Sequence, residues 1–438
     1  MTNVIVHDHL MGTGKSTRMI ETINNAPEEN RYIVVAPFLD ECHRYAGTIP
    51  CEKSGDKKKP ATDERGRVIY NGTGCNASGR EFHHPIAGYR NKVQDIERLV
   101  QEGRDIVTTH AALKMFTPET RQAIKDNGYT LIVDEELECI EQLRLRKERR
   151  MMLLNSGFVE EDDFGLLRWV APDDASSDDE ESDIDGTGLS WEQRIKRMCK
   201  NGSLLLVDDD TGDRKLFMWE YPIEFITAFD RVEVMTYMFE GSVFQKYLMC
   251  YGIPYEHKKG IMIPENPFDL IRIVENERMN RVGERLEAFS ATHQKAFQRS
   301  HAVVDTTKQN LINFFNNNTY GYAPMEERMW TCLKGGSGLL KGKGYTRRFV
   351  PHNIKAVNSY AGVSKIAYVY NPYMSPEIYK HLKRKGDEFA PDPTRYMLAE
   401  ALQMIYRSRV RNDEPVNIYI PSSRVRDGMY DWMSGKYT

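Results

Sequence analysis

The run Gly12-Thr13-Gly14-Lys15-Ser16-Thr17 contains the residue types needed to hold a phosphate. Two glycines let successive backbone N–H groups close around an anion without Cβ interference, a lysine reaches the outer phosphates, and the Ser16 hydroxyl suits Mg²⁺. In the full form of the pattern a glycine would stand where this chain has His9. The competing reading is a chance glycine turn before a helix. The apolar run Val4-Ile5-Val6 ahead and the helical run Arg18 to Ile23 behind speak against it.

A second constellation, Asp134-Glu135-Glu136-Leu137, follows the apolar run Leu131-Ile132-Val133. Adjacent carboxylates at the tip of a buried strand are poor core residues. Beside a phosphate loop they make sense if Asp134 helps to hold Mg²⁺ while Glu135 orients the water that attacks the γ-phosphate. Alone, they would read equally well as solvated acids at a strand end. A third, Gln403-Met404-Ile405-Tyr406-Arg407-Ser408-Arg409-Val410-Arg411, sits late in a helical stretch that starts near Thr394. Three arginines at alternate positions do not share one face of a regular helix. They suit either a basic helix end or a guanidinium reaching the charge that develops on a transferring phosphoryl group, with Arg407, Arg409 and Arg411 all open.

These groups must be positioned by a sheet. Residues 32–36, 105–109 and 129–133 are short, rich in β-branched residues and bounded by charges or turn signals, and helical patterns lie between them. That alternation predicts an α/β fold with a parallel sheet and ligands at the carboxyl ends of its strands. Further on, Arg328 to Cys332 and Lys365 to Tyr370 read as strands, and the glycine-interleaved basic run from Lys334 to Arg348 lies between them. The run from Asp173 to Asp185 is too acidic and too poor in apolar residues to fold alone and reads as a surface insertion, about residues 158–190.

With 438 residues, a net charge of −4 and seven scattered cysteines, the chain reads as a multi-domain, cytoplasmic protein with reduced thiols. No stretch approaches the roughly 20 apolar residues of a membrane span. Overall charge neither favours nor opposes a nucleic-acid partner, which would need a local basic channel. Cys42, His43, Cys51, Cys75, His83 and His84 could supply zinc ligands, but their spacings match no common zinc module.

The order H-L-M-G-T-G-K-S, V-V-A-P-F, I-V-T-T-H, V-D-E-E-L and Q-M-I-Y-R-S-R resembles the motif series of superfamily 2 helicases. Within these it is similar to phage-encoded DEAD/DEAH-like helicases and to the herpesvirus origin-binding helicase. The resemblance implies two RecA-like P-loop NTPase lobes, residues 1–245 and 246–438, with the acidic insertion in the first. It implies ATP and Mg²⁺ in the cleft and single-stranded or forked DNA across both lobes, with replication proteins as further partners.

Carried onto this chain, the resemblance assigns Gly12 to Thr17 to the nucleotide, Ser16 and Asp134 to Mg²⁺, and Lys15, Asp134, Glu135, Gln403, Arg407 and Arg409 to catalysis. It assigns Pro37, Thr108, Thr109 and His110 to the nucleic-acid backbone, and Asn358 stands in for the aspartate of the fifth motif. Thr236 marks the segment that couples the two sites. The last motif departs from the family, with Tyr406 for a glycine and Val410 for the final arginine; divergent members with a Q-x-x-x-R-x-R form favour Arg407 and Arg409. The eight residues ahead of His9 lack the glutamine motif of DEAD-box RNA helicases, so DNA is expected over RNA. The implied activity is an ATP-dependent DNA helicase or translocase in phage-type replication or recombination. A helicase loader that switches with ATP but unwinds nothing, and a terminase-like packaging ATPase, are the alternatives.

Overall fold

The computed structural model describes residues 2–51, 59–85, 92–172, 190–208, 215–293, 300–352 and 360–438. The fold is α/β, built on two parallel sheets. The first has the order β11-β1-β10-β4-β2-β3, where β1 is Asn3–Asp8, β2 Arg31–Ala36, β3 Ile106–Thr109, β4 Tyr129–Asp134, β10 Arg231–Thr236 and β11 Tyr255–Lys259. Every neighbouring pair in it is parallel. Such a sheet is covered on both faces, so its strands are continuous apolar runs rather than alternating ones. In β2 the period of two is visible only in what each side chain touches. Ile33 and Val35 join the core on one face, while Tyr32, Val34 and Ala36 join a second core with Met19 and Ile23 of the helix Lys15–Asn24.

The second sheet has the order β12-β15-β14-β13, with β12 Ile271–Ile273, β13 Arg328–Cys332, β14 Lys365–Val369 and β15 Val416–Tyr419, and it too is all parallel. The strands expected at 328–332 and 365–370 are therefore present. β11 extends the first sheet to Lys259, past residue 245. Its polar sequence Tyr-Glu-His-Lys-Lys suits an edge strand, which carries charge where a central strand would carry valines.

Between β4 and β10 the chain leaves the parallel sheet for longer than the expected 158–190. The strands β5 (Ile140–Leu143), β9 (Lys215–Glu220) and β8 (Leu204–Asp208) form an antiparallel sheet, and β6 (Val159–Glu161) pairs with β7 (Leu167–Trp169) as a hairpin. The helices Lys147–Asn155 and Trp191–Lys200 complete this module, whose own small core contains Leu153, Trp191, Ile195 and Phe217. The helix Trp191–Lys200 opens with a capping box, Ser190 accepting from the Gln193 N–H and the Gln193 side chain accepting from the Ser190 N–H. The acidic run 173–185 lies outside the described residues.

The two sheets are joined by side chains as well as by chain. Leu10, Tyr237 and Met238, from the loops at the carboxyl end of the first sheet, share a core with Met397, Leu402 and Trp432 of the second half. Trp432 Nε1 donates to the Tyr237 hydroxyl at 2.6 Å, and that hydroxyl donates to the Met262 carbonyl at 2.8 Å. A second link is buried Glu220 of β9, which pairs with His381 at 2.7 Å and Lys385 at 3.2 Å, both on the helix Pro376–Lys385. Among the described residues no helix is long and apolar enough to cross a membrane.

Candidate nucleotide site between the two sheets

The glycine loop follows β1 directly and its backbone does what its sequence requires. Gly12 and Gly14 both adopt left-handed φ, +80° and +79°, which side-chain-bearing residues rarely hold. Gly14 then serves as the residue from which the helix Lys15–Asn24 starts, so the positive end of that helix faces the cleft. Thr13 Oγ1 donates to the Leu10 carbonyl at 2.8 Å and Arg18 Nη1 to the Thr13 carbonyl at 2.7 Å, which brace the loop.

His9, where the full pattern has glycine, has a structural counterpart. A Cβ built on Gly260 would lie 1.9 Å from the His9 ring, so the ring occupies the space that a side chain at 260 would need.

Lys15 points back over the loop and donates to the carbonyls of His9 and, at 3.0 Å, Thr236. Burial lowers its pKa to about 8, even though the carboxylates of Asp134, Asp8 and Glu135 work in the opposite direction. Ser16 Oγ donates to both carboxylate oxygens of Asp134, at 3.2 and 3.0 Å, and the Tyr45 hydroxyl donates to one of them at 3.2 Å. Burial raises the pKa of Asp134, opposed by the Ser16 hydrogen bond. This hydroxyl and carboxylate are the hard oxygen donors that Mg²⁺ prefers, in contact already, and so the residues present fit that ion. β10 lies between β1, which leads through the glycine loop to Ser16 at the start of the helix, and β4, which ends in Asp134, and the pair meets across its end.

Glu135 follows in a left-handed conformation, φ +75°, unusual for a residue with a side chain, and its N–H donates to the Met235 carbonyl at 2.9 Å. The turn costs on the order of 1 kcal/mol and bends the chain sharply off the end of β4, so that Glu135 and Glu136 both line the cleft.

The opposite wall comes from the second half of the chain. The helix Pro393–Ile405 ends two residues before Arg407, and a 3-10 turn, Arg409–Asn412, follows. That break separates the arginines. Arg407 and Arg411 line the cleft together with Gln403, whereas Arg409 turns away, its Nε on the Pro415 carbonyl and its Nη1 3.9 Å from Glu327. Of the arginines, the structure thus brings Arg407 and Arg411 to the glycine loop, and not Arg409. Arg407 is 7% exposed; its Nε donates to the Gln403 carbonyl at 3.2 Å and its Nη1 is buried without an acceptor. Burial lowers its pKa, opposed by Glu135. A buried guanidinium short of an acceptor at a cleft wall is a receptor for an anion.

The cleft measures about 410 Å³ and reaches Met11, Glu41, Arg44 and Pro37 besides the residues above. Glu41, Arg44 and Tyr45 escaped the sequence reading. They lie at i, i+3 and i+4 on the helix Leu39–Ala46, one face of it, and their signal was only their place beyond the carboxyl end of β2.

Thr108, Thr109 and His110 end β3 and begin a short helix. Thr108 is buried, its carbonyl accepting from Cys42 Sγ, while Thr109 and His110 are half-buried. His110 Nε2 lies 3.1 Å from the Asp134 carbonyl, which links this segment to the acidic one. Asn358 lies outside the described residues. Among the described residues no cluster of three or more Cys, His, Asp and Glu side chains could hold a metal; His43 and His84 instead meet on the Thr48 hydroxyl, at 2.8 and 3.0 Å, and all seven cysteines are free thiols.

The profile of the YonV C-terminal Rossmann-like domain matches residues 265–433, the stretch that contains the second sheet. Over its full length the chain is 27% identical to the SPbeta prophage-derived uncharacterized protein YonV of Bacillus subtilis (strain 168), with 100% of each chain covered. Among solved structures it is similar to Xpd4 of S. tokodaii, with TM-score 0.45, 10% identity, and coverage of 100% of this chain and 95% of the other. An XPD helicase gives TM-score 0.37 and 10% identity over 98% of this chain and 89% of that one.

The Lys15 environment sets a pH dependence. Phosphate binding needs the ammonium form, and in the free protein that form is lost as pH rises through about 8. Nucleoside triphosphate affinity is therefore expected to be flat from pH 6.5 to 7.5 with respect to this group. Above pH 8 it falls by about tenfold per pH unit, with uptake of a proton on binding, until the pKa of the bound state is reached. Calorimetric titration in buffers of different ionisation enthalpy measures both; affinity independent of pH between 7 and 9.5 would contradict a role for Lys15.

Proposed function

We propose that this chain is an ATP-dependent nucleic-acid motor, a DNA helicase or translocase of the superfamily 2 type serving phage-type replication or recombination. The observation that carries the reading is the composition of one cleft. Lys15, Ser16, Asp134 and Glu135 come from a helix, a strand end and a loop at the carboxyl end of the first sheet, and Gln403, Arg407 and Arg411 from the segment between β14 and β15 of the second. A nucleotide binder needs only the first set; closing the second onto it makes the site depend on how the two halves sit. The prophage source of the YonV relative accords with a phage role.

In this reading the two sheets are the two lobes. The glycine loop and Lys15 hold the phosphates, and Ser16 with Asp134 would hold Mg²⁺, which when bound neutralises charge on the transferring group. Glu135 accepts a hydrogen bond from the attacking water and aligns it, and Arg407 donates to the oxygens on which charge develops. Gln403 and Arg411 line the same wall. Pro37, Thr109 and His110 are proposed to grip a strand backbone, Thr108 doing so only after it is uncovered. His110, hydrogen-bonded at the Asp134 backbone, makes strand contact sensible at the acidic segment. Thr236 lies where Lys15 and the chain leading to Tyr237 meet, between nucleotide and second lobe.

The test is ATP turnover by the full chain with and without single-stranded DNA, joined to strand displacement on tailed DNA and RNA duplexes. Severalfold stimulation by DNA together with displacement is expected. Hydrolysis with DNA binding but no displacement would move the assignment to an ATP-switched loader, and turnover indifferent to any strand would remove the motor reading.

A further inference from the structure

The χ2 torsion of an aspartate is broad, so the plane in which Asp134 presents its carboxylate has to be fixed by neighbouring donors. Ser16 Oγ lies 3.2 Å from Oδ1 and 3.0 Å from Oδ2, and its single proton serves one oxygen at a time. The Tyr45 hydroxyl donates to Oδ2 at 3.2 Å and so pins one oxygen. The two donors come from different elements. Ser16 belongs to the helix that opens at the glycine loop, and Tyr45 to the helix Leu39–Ala46, which follows β2.

The acceptor is unusual for a buried phenol in this chain. Tyr129, Tyr247 and Tyr419 donate to backbone carbonyls, at 2.7, 2.8 and 2.9 Å. Tyr45, which is fully buried, donates instead to a carboxylate that lines the cleft, a charge-assisted bond.

The helix that carries Tyr45 is held on several sides. Its ring shares a core with Met19 and Ile23 of the glycine-loop helix and with Cys75 and Phe82. Cys42, three residues earlier, donates its Sγ hydrogen to the Thr108 carbonyl at 3.3 Å, near the end of β3. Beyond the helix the chain turns at Gly47, φ +65°, and the segment around Thr73 and Gly74 closes on it backbone to backbone. A Cβ on Gly47 would lie 2.0 Å from the Thr73 carbonyl oxygen, and one on Gly74 would lie 2.2 Å from the carbonyl oxygen of Arg44, the residue before Tyr45. The irregular stretch after the helix, which forms no metal cluster among the described residues, thus clamps the helix end. A hydroxyl on so fixed a ring gives the carboxylate a fixed direction.

We propose that Tyr45 is a positioning residue for the divalent ion, its hydroxyl holding the Asp134 carboxylate in the orientation in which Ser16 and Asp134 together bind Mg²⁺. The inference rests on the nucleotide-site reading above and adds the group that orients the metal carboxylate. Lys15 and the glycine loop meet the phosphates without Tyr45, so its contribution falls on metal affinity and not on affinity for the nucleotide alone.

The experiment is titration of Mn²⁺, an oxygen-seeking octahedral stand-in for Mg²⁺, into the full chain with ADP, followed by electron paramagnetic resonance, for the wild type, Tyr45→Phe and Tyr70→Phe. Binding of a fluorescent ADP analogue in EDTA is measured beside it and also reports that each variant is folded. Tyr45→Phe keeps the ring and its packing and removes only the hydroxyl. Tyr70→Phe is the control, since its hydroxyl donates to the Phe82 carbonyl at 3.1 Å and does not line the cleft. Mn²⁺ affinity is expected to fall about tenfold in Tyr45→Phe, the low end of what losing a partner behind a metal ligand costs, and to stay at the wild-type value in Tyr70→Phe. Metal-free binding of the ADP analogue should be the same in all of them.

Equal Mn²⁺ affinity in the wild type and Tyr45→Phe, or an equal loss in Tyr70→Phe, overturns the role of Tyr45 and leaves the nucleotide site standing. A parallel loss of metal-free ADP binding in Tyr45→Phe also overturns it, because the hydroxyl would then be holding the site as a whole. A wild-type chain that binds neither ADP nor Mn²⁺ overturns the nucleotide-site reading itself.

Discussion

Replacing Arg407 by alanine is expected to lower the turnover number for ATP by about a thousandfold while changing nucleotide affinity by less than about threefold. The asymmetry follows from what the guanidinium touches. Its Nε is committed to the Gln403 carbonyl, but Nη1 is buried without an acceptor at the cleft wall opposite the glycine loop. A donor held unsatisfied in the free protein gains most where negative charge is greatest, on the phosphoryl oxygens of the transition state, and there it needs no reorganisation. Lysine at 407 should restore little, because an ammonium cannot reproduce the planar fork. Arg409→Ala is the internal control. Its side chain is held by Pro415 and faces Glu327, away from the cleft, so turnover should stay within about threefold of wild type. Steady-state turnover and titration with a fluorescent nucleotide analogue separate the two effects; a larger loss at 409 than at 407 would reverse the assignment.

The second large effect is expected at Glu135. Glu135→Gln keeps the shape and the backbone turn but removes the charge that can accept a proton from water, and turnover should drop by about a thousandfold with nucleotide still bound. The left-handed φ of +75° gives this position a second signature. Glycine adopts such a φ without strain, so Glu135→Gly should fold at least as stably as the wild type and yet be as inactive as the glutamine variant. Thermal unfolding of the apo proteins, measured beside turnover, distinguishes a site residue from a structural one. If Glu135→Gly were destabilised in step with its loss of activity, the residue would be holding the fold and not the water.

Much of this arrangement could be read from residue order because the first sheet is buried on both faces. Runs such as Tyr32 to Ala36 and Leu131 to Val133 are then continuous and unmistakable; the second ends in Asp134 and Glu135 and the first in Pro37, all of which line the cleft. The second wall was harder. Arg407, Arg409 and Arg411 are indistinguishable by spacing, and what sorts them is the end of a helix at Ile405 and a 3-10 turn that no hydrophobic period announces. β11 was hidden for the opposite reason, since its lysines and glutamate look like loop and only its place at the sheet edge beside β1 makes it a strand. The module of β5 to β9 is built from strands of three to six residues, too short for a periodic signal, and the acidic run inside it has no hydrophobic period that would mark the elements on either side. Glu41, Arg44 and Tyr45 reach the site because a helix happens to turn one face to it, which depends on tertiary packing alone.

The fit of the His9 ring against Gly260 ties together two positions far apart in the chain. A side chain at 260 and the imidazole at 9 claim the same space, so the two positions are sterically coupled and a substitution at one is felt at the other. A smaller residue at 9 would free that space, and only then does a side chain at 260 fit without displacing the ring.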